Sequence, residues 1–557
     1  MSTATTDDIV VAQRWQQWAI VVGAWCVGAL VFFRDTIFSG FDHIISDDGD
    51  GRLIVYLHEH WLEVVKGNQP WRTPGFFHDT SVTLGYSDTF VLNEVFYAPL
   101  RLVGADRYLA MQLTIIALSL VGFVSFHTVC TRLLGAGRWL SLAFAGMFVF
   151  ANNMSVKAGH IQLLSVYWVP LGVLLVAKAA STTSRRARLA WWFGSGLFFG
   201  TLVYSAYYIG WFTAFAALLF CVRMAVHLRH RLVEQSLRRL AASVWRPVAA
   251  FAGGLAVPMV PFLLTYLPKL DETGGRPLRS VIAGAPGIGD AVNVGTDNYL
   301  WGGVLRAYFG DHYRLHNVEV ATAATPLLML STVVFAVVIA IRLRGDRGAP
   351  AAVARSLLTV SLLIAVLPLR LGDFSLWRAV WMFVPGAKAL RAVGRIELMV
   401  SLLAPLAIAA SIWALREAGR TIARHRPRAQ QVAVAAWCLL LLFEQFNVST
   451  ISRIDRSTQM AFIDQLADPP GECDSFFILV PDGTGDVAAN IDAMIVAQVS
   501  GVPTVNGYSG STPPFWDLNP SGEQYVDWVQ RWNGRHDVGT SCSYDSATNT
   551  WDVTPFD

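Results

Sequence analysis

The chain carries about eleven apolar runs, most of them near the roughly 20 residues that a helix needs to cross the hydrocarbon of a bilayer. They fall near residues 17–34, 107–130, 139–153, 163–180, 190–205, 207–224, 247–267, 321–342, 353–370, 394–415 and 429–446. Backbone polar groups in lipid must be satisfied within the segment itself, so such runs become helices of a polytopic membrane protein. Composition agrees: 54% of residues are hydrophobic and 15% charged, where a soluble domain carries about 25% charge. The first run, Trp18 to Phe33, is followed by no small-residue cleavage site and reads as an anchor, not a removed signal. The pair at 190–224 is interrupted by Tyr204, Tyr207 and Tyr208, and reads either as two spans or as one broken helix.

Loop charge decides between these. Arginines mark five connections: Arg132 and Arg138; Arg185, Arg186 and Arg188; Arg223 through Arg246; Arg342, Arg344 and Arg347; and Arg416 through Arg428. With two spans at 190–224, all of these loops share the side of the N-terminus. The expected fold class is therefore a polytopic α-helical membrane protein of about 11 transmembrane helices, N-in and C-out. Residues 1–446 form its transmembrane domain, with a large first outer loop at 35–105. Residues 447–557 form a small α/β or β-rich extracytoplasmic domain, in which Phe476 to Val480 reads as a strand. Cys473 and Cys542 lie in that tail, in a compartment that permits a disulfide, and a bridge and two free thiols are equally open.

The first outer loop carries the strongest chemical signal. Asp47, Asp48 and Asp50 fall within four residues, loosened by Gly49 and Gly51 and followed by Arg52. Leu53, Tyr56, Leu57, Trp61 and Val64 recur at helical spacing, with Arg52, His58, Glu59, Glu63 and Lys66 mostly opposite, which predicts an amphipathic helix lying along the membrane surface. A second turn holds Tyr86, Ser87 and Asp88 before a helix from about Phe90 to Leu102. Clustered carboxylates suit a general base with a supporting acid, or a divalent cation (Mg2+, Mn2+ or Ca2+) held by Asp47, Asp48 and Asp50. The bland alternative is a solvated acidic loop, since Asp and Gly also make ordinary turns.

Three further outer segments offer polar groups. His160 and Gln162 sit in the short turn 153–162, where they could meet a substrate hydroxyl or phosphate. Lys388, Arg391 and Arg395 are cations on the outer side, spaced to share one helix face, with Glu397 as a possible partner. Cations at the mouth of a span suit a phosphate; snorkelling to lipid headgroups is the competing reading. In the loop 268–320, His312, His316 and Glu319 have the spacing of a metal face, weakened by Gly310 and Asp311. There is no Walker loop, no dinucleotide fingerprint and no nucleophile elbow, so ATP hydrolysis and dinucleotide chemistry have no site. Nothing in the chain reads as a nucleic-acid surface.

The acidic turn with Gly49-Asp50-Gly51, the Tyr86-Ser87-Asp88 turn, His160 with Gln162, the Arg391–Arg395 pair after Pro385-Gly386, and Asn506-Gly507-Tyr508-Ser509-Gly510 together resemble the GT-C superfamily of integral membrane glycosyltransferases, in particular YfhO-type and mannosyltransferase-type bacterial members. The resemblance implies a polyprenyl-phosphate sugar as donor, a glycan or lipid acceptor, transfer with inversion, and an active site on the outer face of the bacterial plasma membrane among its lipids. Asp47 or Asp48 would be the base, with Asp50 and Asp88 assisting. Lys388, Arg391 and Arg395 would hold the phosphate, and Arg52, His160, Gln162 and Tyr86 would contact substrate. The Ala- and Arg-rich composition fits a GC-rich genome, and with the resemblance it points to the envelope of an actinobacterium. The main competing function is a transporter or flippase of a lipid-linked saccharide, which should show charges deep in its spans and internal repeats. A third is a non-catalytic assembly or sensor protein.

Overall fold

The computed structural model describes residues 6–234, 237–310, 319–321, 323–419, 428–449 and 454–554. Each apolar run of the sequence is helical within these limits. Among the described residues, eight helical segments are long and apolar enough to cross a membrane: Trp15–Phe32, Arg107–Leu133, Arg138–Val156, Ile161–Ser181, Tyr207–His227, Val244–Thr273, Ala349–Val366 and Val393–Glu417. Pro326–Arg342 and Arg428–Phe443 are apolar but shorter. The protein is a multi-pass helical membrane protein.

The stretch at 190–224 is two helices, Arg185–Ser205 and Tyr207–Glu234, broken at Ala206. Small residues explain how they pack. A Cβ on Gly196 or Gly254 would strike the backbone of Phe251 or Phe193 at about 2 Å, so Arg185–Ser205 and Leu237–Thr273 touch main chain to main chain. Gly196 lies at Phe251 and Gly200 at Pro258, so those two helices run parallel, and the helix between them must return.

Segments expected on one side of the membrane meet at one end of the bundle. His160 reaches Asp50, Tyr508 reaches Asp50, Arg276 reaches Gly510, and Arg395 reaches Glu319. At the other end, Arg416 reaches the carbonyl of Gly135 and Arg355 those of Leu343 and Asp346.

The first loop and the tail are knitted together. Phe77 and His78 donate backbone hydrogen bonds to Asn506 and Thr504, and Thr504 donates to Gly75. The tail folds as a three-stranded sheet with Ser541–Asp545 in the centre, parallel to Ser475–Leu479 and antiparallel to Thr550–Asp552. A disulfide joins Cys473 to Cys542. Helix Asp486–Ser500 packs on the loop helix Asp50–Lys66.

That packing overturns one expectation. The loop helix does not lie on a surface with a solvated polar face: residues Gly51 to His60 are all buried. Of the residues expected on a wet face, Arg52, His58 and Glu59 are instead satisfied by partners elsewhere in the chain, while Glu63 and Lys66 in the last turns pair with each other toward the surface. Arg52, 3% exposed, pairs with Asp48 and with Asp492 of the tail helix. His58 meets Glu94 and stacks on Tyr97. Glu59 accepts from Arg101 at 2.6 Å and from Tyr97 at 2.6 Å. Hydrophobic periodicity locates one buried face; it says nothing about whether the other face finds ion pairs.

Removing one member of a buried ion pair costs about 3–5 kcal/mol. Arg52→Met should therefore lower the apparent melting temperature of the detergent-solubilised protein by several degrees and expose the tail to protease. Adding Asp492→Leu should recover part of the loss, because the stranded carboxylate goes with it.

Candidate functional site

The acidic turn is shaped by its own backbone. Asp47 Oδ1 accepts N–H groups from Gly49 at 3.2 Å and Asp50 at 2.8 Å, an Asx-type turn that leads into the loop helix. Ser46 donates to the carbonyl of Gly159 at 3.0 Å, which pins the acidic turn against the turn 153–162. Asp47 Oδ2 lies so close to Gly159 that a Cβ there would come within 3.2 Å.

Asp50 is the hub. Its Oδ2 is 2.7 Å from His160 Nδ1 and accepts from Gln162 Nε2 at 2.9 Å, and its Oδ1 accepts from the Tyr508 hydroxyl at 3.2 Å. The other nitrogen of His160 faces Glu319 at 3.4 Å. Glu319 in turn takes two hydrogen bonds from Arg395, one from Nε at 3.0 Å. Lys157 stands behind them, its amine 3.9 Å from Glu319. One imidazole thus separates a carboxylate cluster from a cation cluster.

Titration follows from this layout. Burial alone would lower His160, but hydrogen bonds to Asp50 and Glu319 outweigh it and raise the imidazole above its ordinary value. With a carboxylate at each nitrogen, both must donate, which is the imidazolium form. Burial opposes ionisation of Asp50 and Glu319 as well, yet His160 and its neighbours hold both carboxyls below their usual range. Asp47 differs: burial first, then the charge of Asp50, push its carboxyl up.

The cation segment is held by the helix break at Ala206. Tyr207 donates to the carbonyl of Gly386 at 2.9 Å and Trp211 to that of Pro385 at 2.9 Å. The Tyr208 hydroxyl accepts from Arg391 N at 2.8 Å, and its ring lies under the Arg395 guanidinium, 5.3 Å from the centroid. Gly386 sits at φ +81° with the Tyr207 hydroxyl where a Cβ would be, so only glycine fits there. Lys388, Arg391 and Arg395 do not share one helix face as expected. Lys388 lies in the 3-10 turn Ala387–Ala389 and Arg395 in the 3-10 turn Val393–Ile396, while Arg391 sits in the bend between them, after the extended residue Leu390. Lys388 and Arg391 are exposed, the Lys388 amine over the Trp381 ring, while Arg395 is buried and pairs with Glu319 rather than with Glu397.

Other expected residues are placed elsewhere. Asp48 is taken by Arg52, and Arg52 is buried toward the tail, away from His160. Asp88 accepts the N–H of Tyr207 at 2.8 Å at the start of the helix beyond the break; burial pushes its carboxyl up to about 6. Tyr86 belongs to a separate cluster: its hydroxyl bonds Glu272 at 2.5 Å and Lys269 at 2.9 Å. The three aspartates do not converge on one ion, since Asp48 faces Arg52, Asp50 faces His160, and one oxygen of Asp47 serves its own backbone. Among the described residues no group of three or more His, Cys, Asp or Glu is set to hold a metal. His312 and His316 lie outside the described residues. The sequence reading missed Lys157 and the true partner of Arg395. A lysine between the polar residues of a short outer turn was a visible signal, but its burial was not.

Because the folded pKa of His160 is raised, its stabilising effect is full below about 6.5, the ordinary value, and is lost as pH rises through the raised one. The stability advantage of wild type over His160→Gln should therefore shrink as pH climbs above about 6.5, read by thermal unfolding across a pH series. Lys157, whose ammonium burial pushes down to about 7, opposes this drift in both proteins and cancels in the comparison.

No protein-family model and no curated protein matches the chain. Solved structures do match by fold. The apo crystal structure of the Archaeoglobus fulgidus oligosaccharyltransferase aligns over 95% of this chain and 69% of its own, with a TM-score of 0.50 and 10% identity. Arabinofuranosyltransferase AftD from Mycobacteria aligns over 89% of this chain, which spans 32% of AftD, with a TM-score of 0.47 and 14% identity. ArnT from Cupriavidus metallidurans bound to undecaprenyl phosphate aligns over 90% of this chain and 86% of its own, with a TM-score of 0.42 and 13% identity. At 10% identity the likeness to the oligosaccharyltransferase is one of fold alone.

Proposed function

With a GT-C membrane-glycosyltransferase fold as the premise, we propose that this chain transfers a sugar from a polyprenyl-phosphate donor to a glycan or lipid acceptor of the cell envelope, with inversion, on the outer face of the bacterial plasma membrane. The observation that carries the reading is the single imidazole of His160, with Asp50 on one side and the Glu319–Arg395 pair on the other. Inverting transfer needs a base on one face of the anomeric carbon and charge stabilisation for the leaving group on the other. A donor sugar lying along this imidazole would meet both.

Asp47 is the base in this reading. A base must be basic enough to take a proton, and of the clustered carboxyls Asp47 is pushed up while Asp50 is held down. Asp47 Oδ2 takes the proton of the acceptor hydroxyl as its oxygen bonds to the anomeric carbon. The bond from that carbon to the phosphate oxygen breaks, and the lipid phosphate leaves with the electron pair. Asp50 keeps His160 charged and aligned, and Arg395 meets the leaving phosphate. Arg391 and Lys388, both exposed, extend positive charge outward from it. Asp88 acts at one remove, by fixing the helix break that carries Tyr207 and Tyr208. Asp48 serves the fold through Arg52.

The purified protein in nanodiscs, offered a panel of polyprenyl-phosphate sugars, should transfer one of them. Asp47→Asn should lower turnover about 10²–10⁴-fold, the usual share of general-base catalysis, with KM for the donor little changed. Asp48→Asn should act mainly on stability. Donor binding without turnover, indifferent to Asp47→Asn and Asp50→Asn, would sink the enzyme and favour a carrier of the lipid-linked sugar.

A further inference from the structure

Lys157 presents a feature that the transfer mechanism leaves unexplained. Its side chain is 1% exposed, and its amine has no hydrogen-bond partner. A buried ammonium without hydrogen bonds is costly. The amine stands 3.9 Å from Glu319 Oε2, in a place where it can feel the carboxylate without bonding it. Around the same carboxylate stand His160 Nε2 at 3.4 Å and the Arg395 guanidinium, which grips it through two nitrogens. Three cationic side chains from two separate stretches of chain converge on one carboxylate. That is the donor set of a phosphate site, where a planar guanidinium binds two oxygens and further cations take the rest. A carboxylate brings two oxygens to it. A phosphate monoester brings three, and the third would serve Lys157.

We propose that Lys157, His160 and Arg395 form the anion site for the polyprenyl phosphate that leaves on transfer, a monoester with three free oxygens, and that Glu319 is a built-in plug which this phosphate displaces. This rests on the glycosyltransferase reading for the identity of the ligand, but the site itself is defined by its cations. It assigns the recognition of phosphate to two buried groups and one half-buried group, with Lys388 and Arg391 left as exposed charges outside. It also gives the resting protein a closed state: with no lipid phosphate bound, the cations are neutralised by the chain itself instead of attracting other anions. A plug that occupies the site ten to one lowers the apparent affinity about tenfold.

The test measures binding of farnesyl phosphate to the full-length protein in detergent, beside inorganic phosphate and farnesol. Glu319→Gln should bind farnesyl phosphate at least tenfold more tightly than wild type, and adding Lys157→Met should abolish that gain. Farnesol should bind both proteins alike. A parallel gain for inorganic phosphate would make the site a reader of phosphate alone; a gain confined to farnesyl phosphate would make it a reader of the lipid headgroup; both uphold the site. Unchanged or weaker binding by Glu319→Gln overturns the plug. Should that variant not fold, the wild type carries the test: saturating farnesyl phosphate should raise deuterium uptake at residues 319–321, and unchanged uptake overturns it. If no sugar is ever transferred but the Glu319→Gln gain persists, the glycosyltransferase reading falls and the anion site stands. If transfer is found and the gain is absent, the reverse holds.

Discussion

The contact between His160 and Asp50 is the interaction on which the rest of the site depends. It joins the acidic turn of the first loop to the turn 153–162 across 110 residues of sequence. Each partner is held by another element: Asp50 by Gln162 and by Tyr508 of the tail, His160 by Glu319 and through it by Arg395. A charge removed from water must find an opposite charge or a hydrogen bond, and here each member of the chain supplies what the next one needs. Sites assembled in this way are rigid only when complete, because a half-satisfied polar network costs more than an apolar one.

Around this centre the bundle acts as a holder. The break at Ala206 is its most specific device. Two helices that would otherwise be one are interrupted, the freed N–H of Tyr207 is taken by Asp88, and the first turn beyond the break aims Tyr207, Tyr208 and Trp211 at the segment 385–392. The aromatic interruption that blurred the span count in the sequence is what positions Arg395. The tail contributes differently. It closes over the loop helix and offers Tyr508 to Asp50, so a segment of soluble composition becomes part of the wall of the candidate site.

The loop helix shows why part of this was hidden in the sequence. Arg52, His58 and Glu59 read as part of a wet face by composition, yet their partners lie at Asp492, Glu94 and Arg101. No local pattern distinguishes a charge facing water from a charge facing a distant counter-charge. The same holds at 388–395, where three- and four-residue spacing promised one helical face. Gly386 in the left-handed region and the extended residue Leu390 divide that segment into separate turns. Glu397, next in sequence to the cations, was the local guess for a partner; Glu319, from another loop, is the actual one.

The sequence by itself determined the helical membrane class and the position of each apolar run, and it marked the acidic turn and the basic loops as the segments to watch. These follow from local rules: the length needed to cross lipid, the cost of charge in hydrocarbon, and the turn-forming habit of Asp and Gly. Only the tertiary structure decided how each of the clustered carboxyls is partnered, which cation is buried, and who pairs with whom. Those are questions of desolvation and of distance between residues 110 to 458 positions apart in the chain, and a linear spacing carries no information about either.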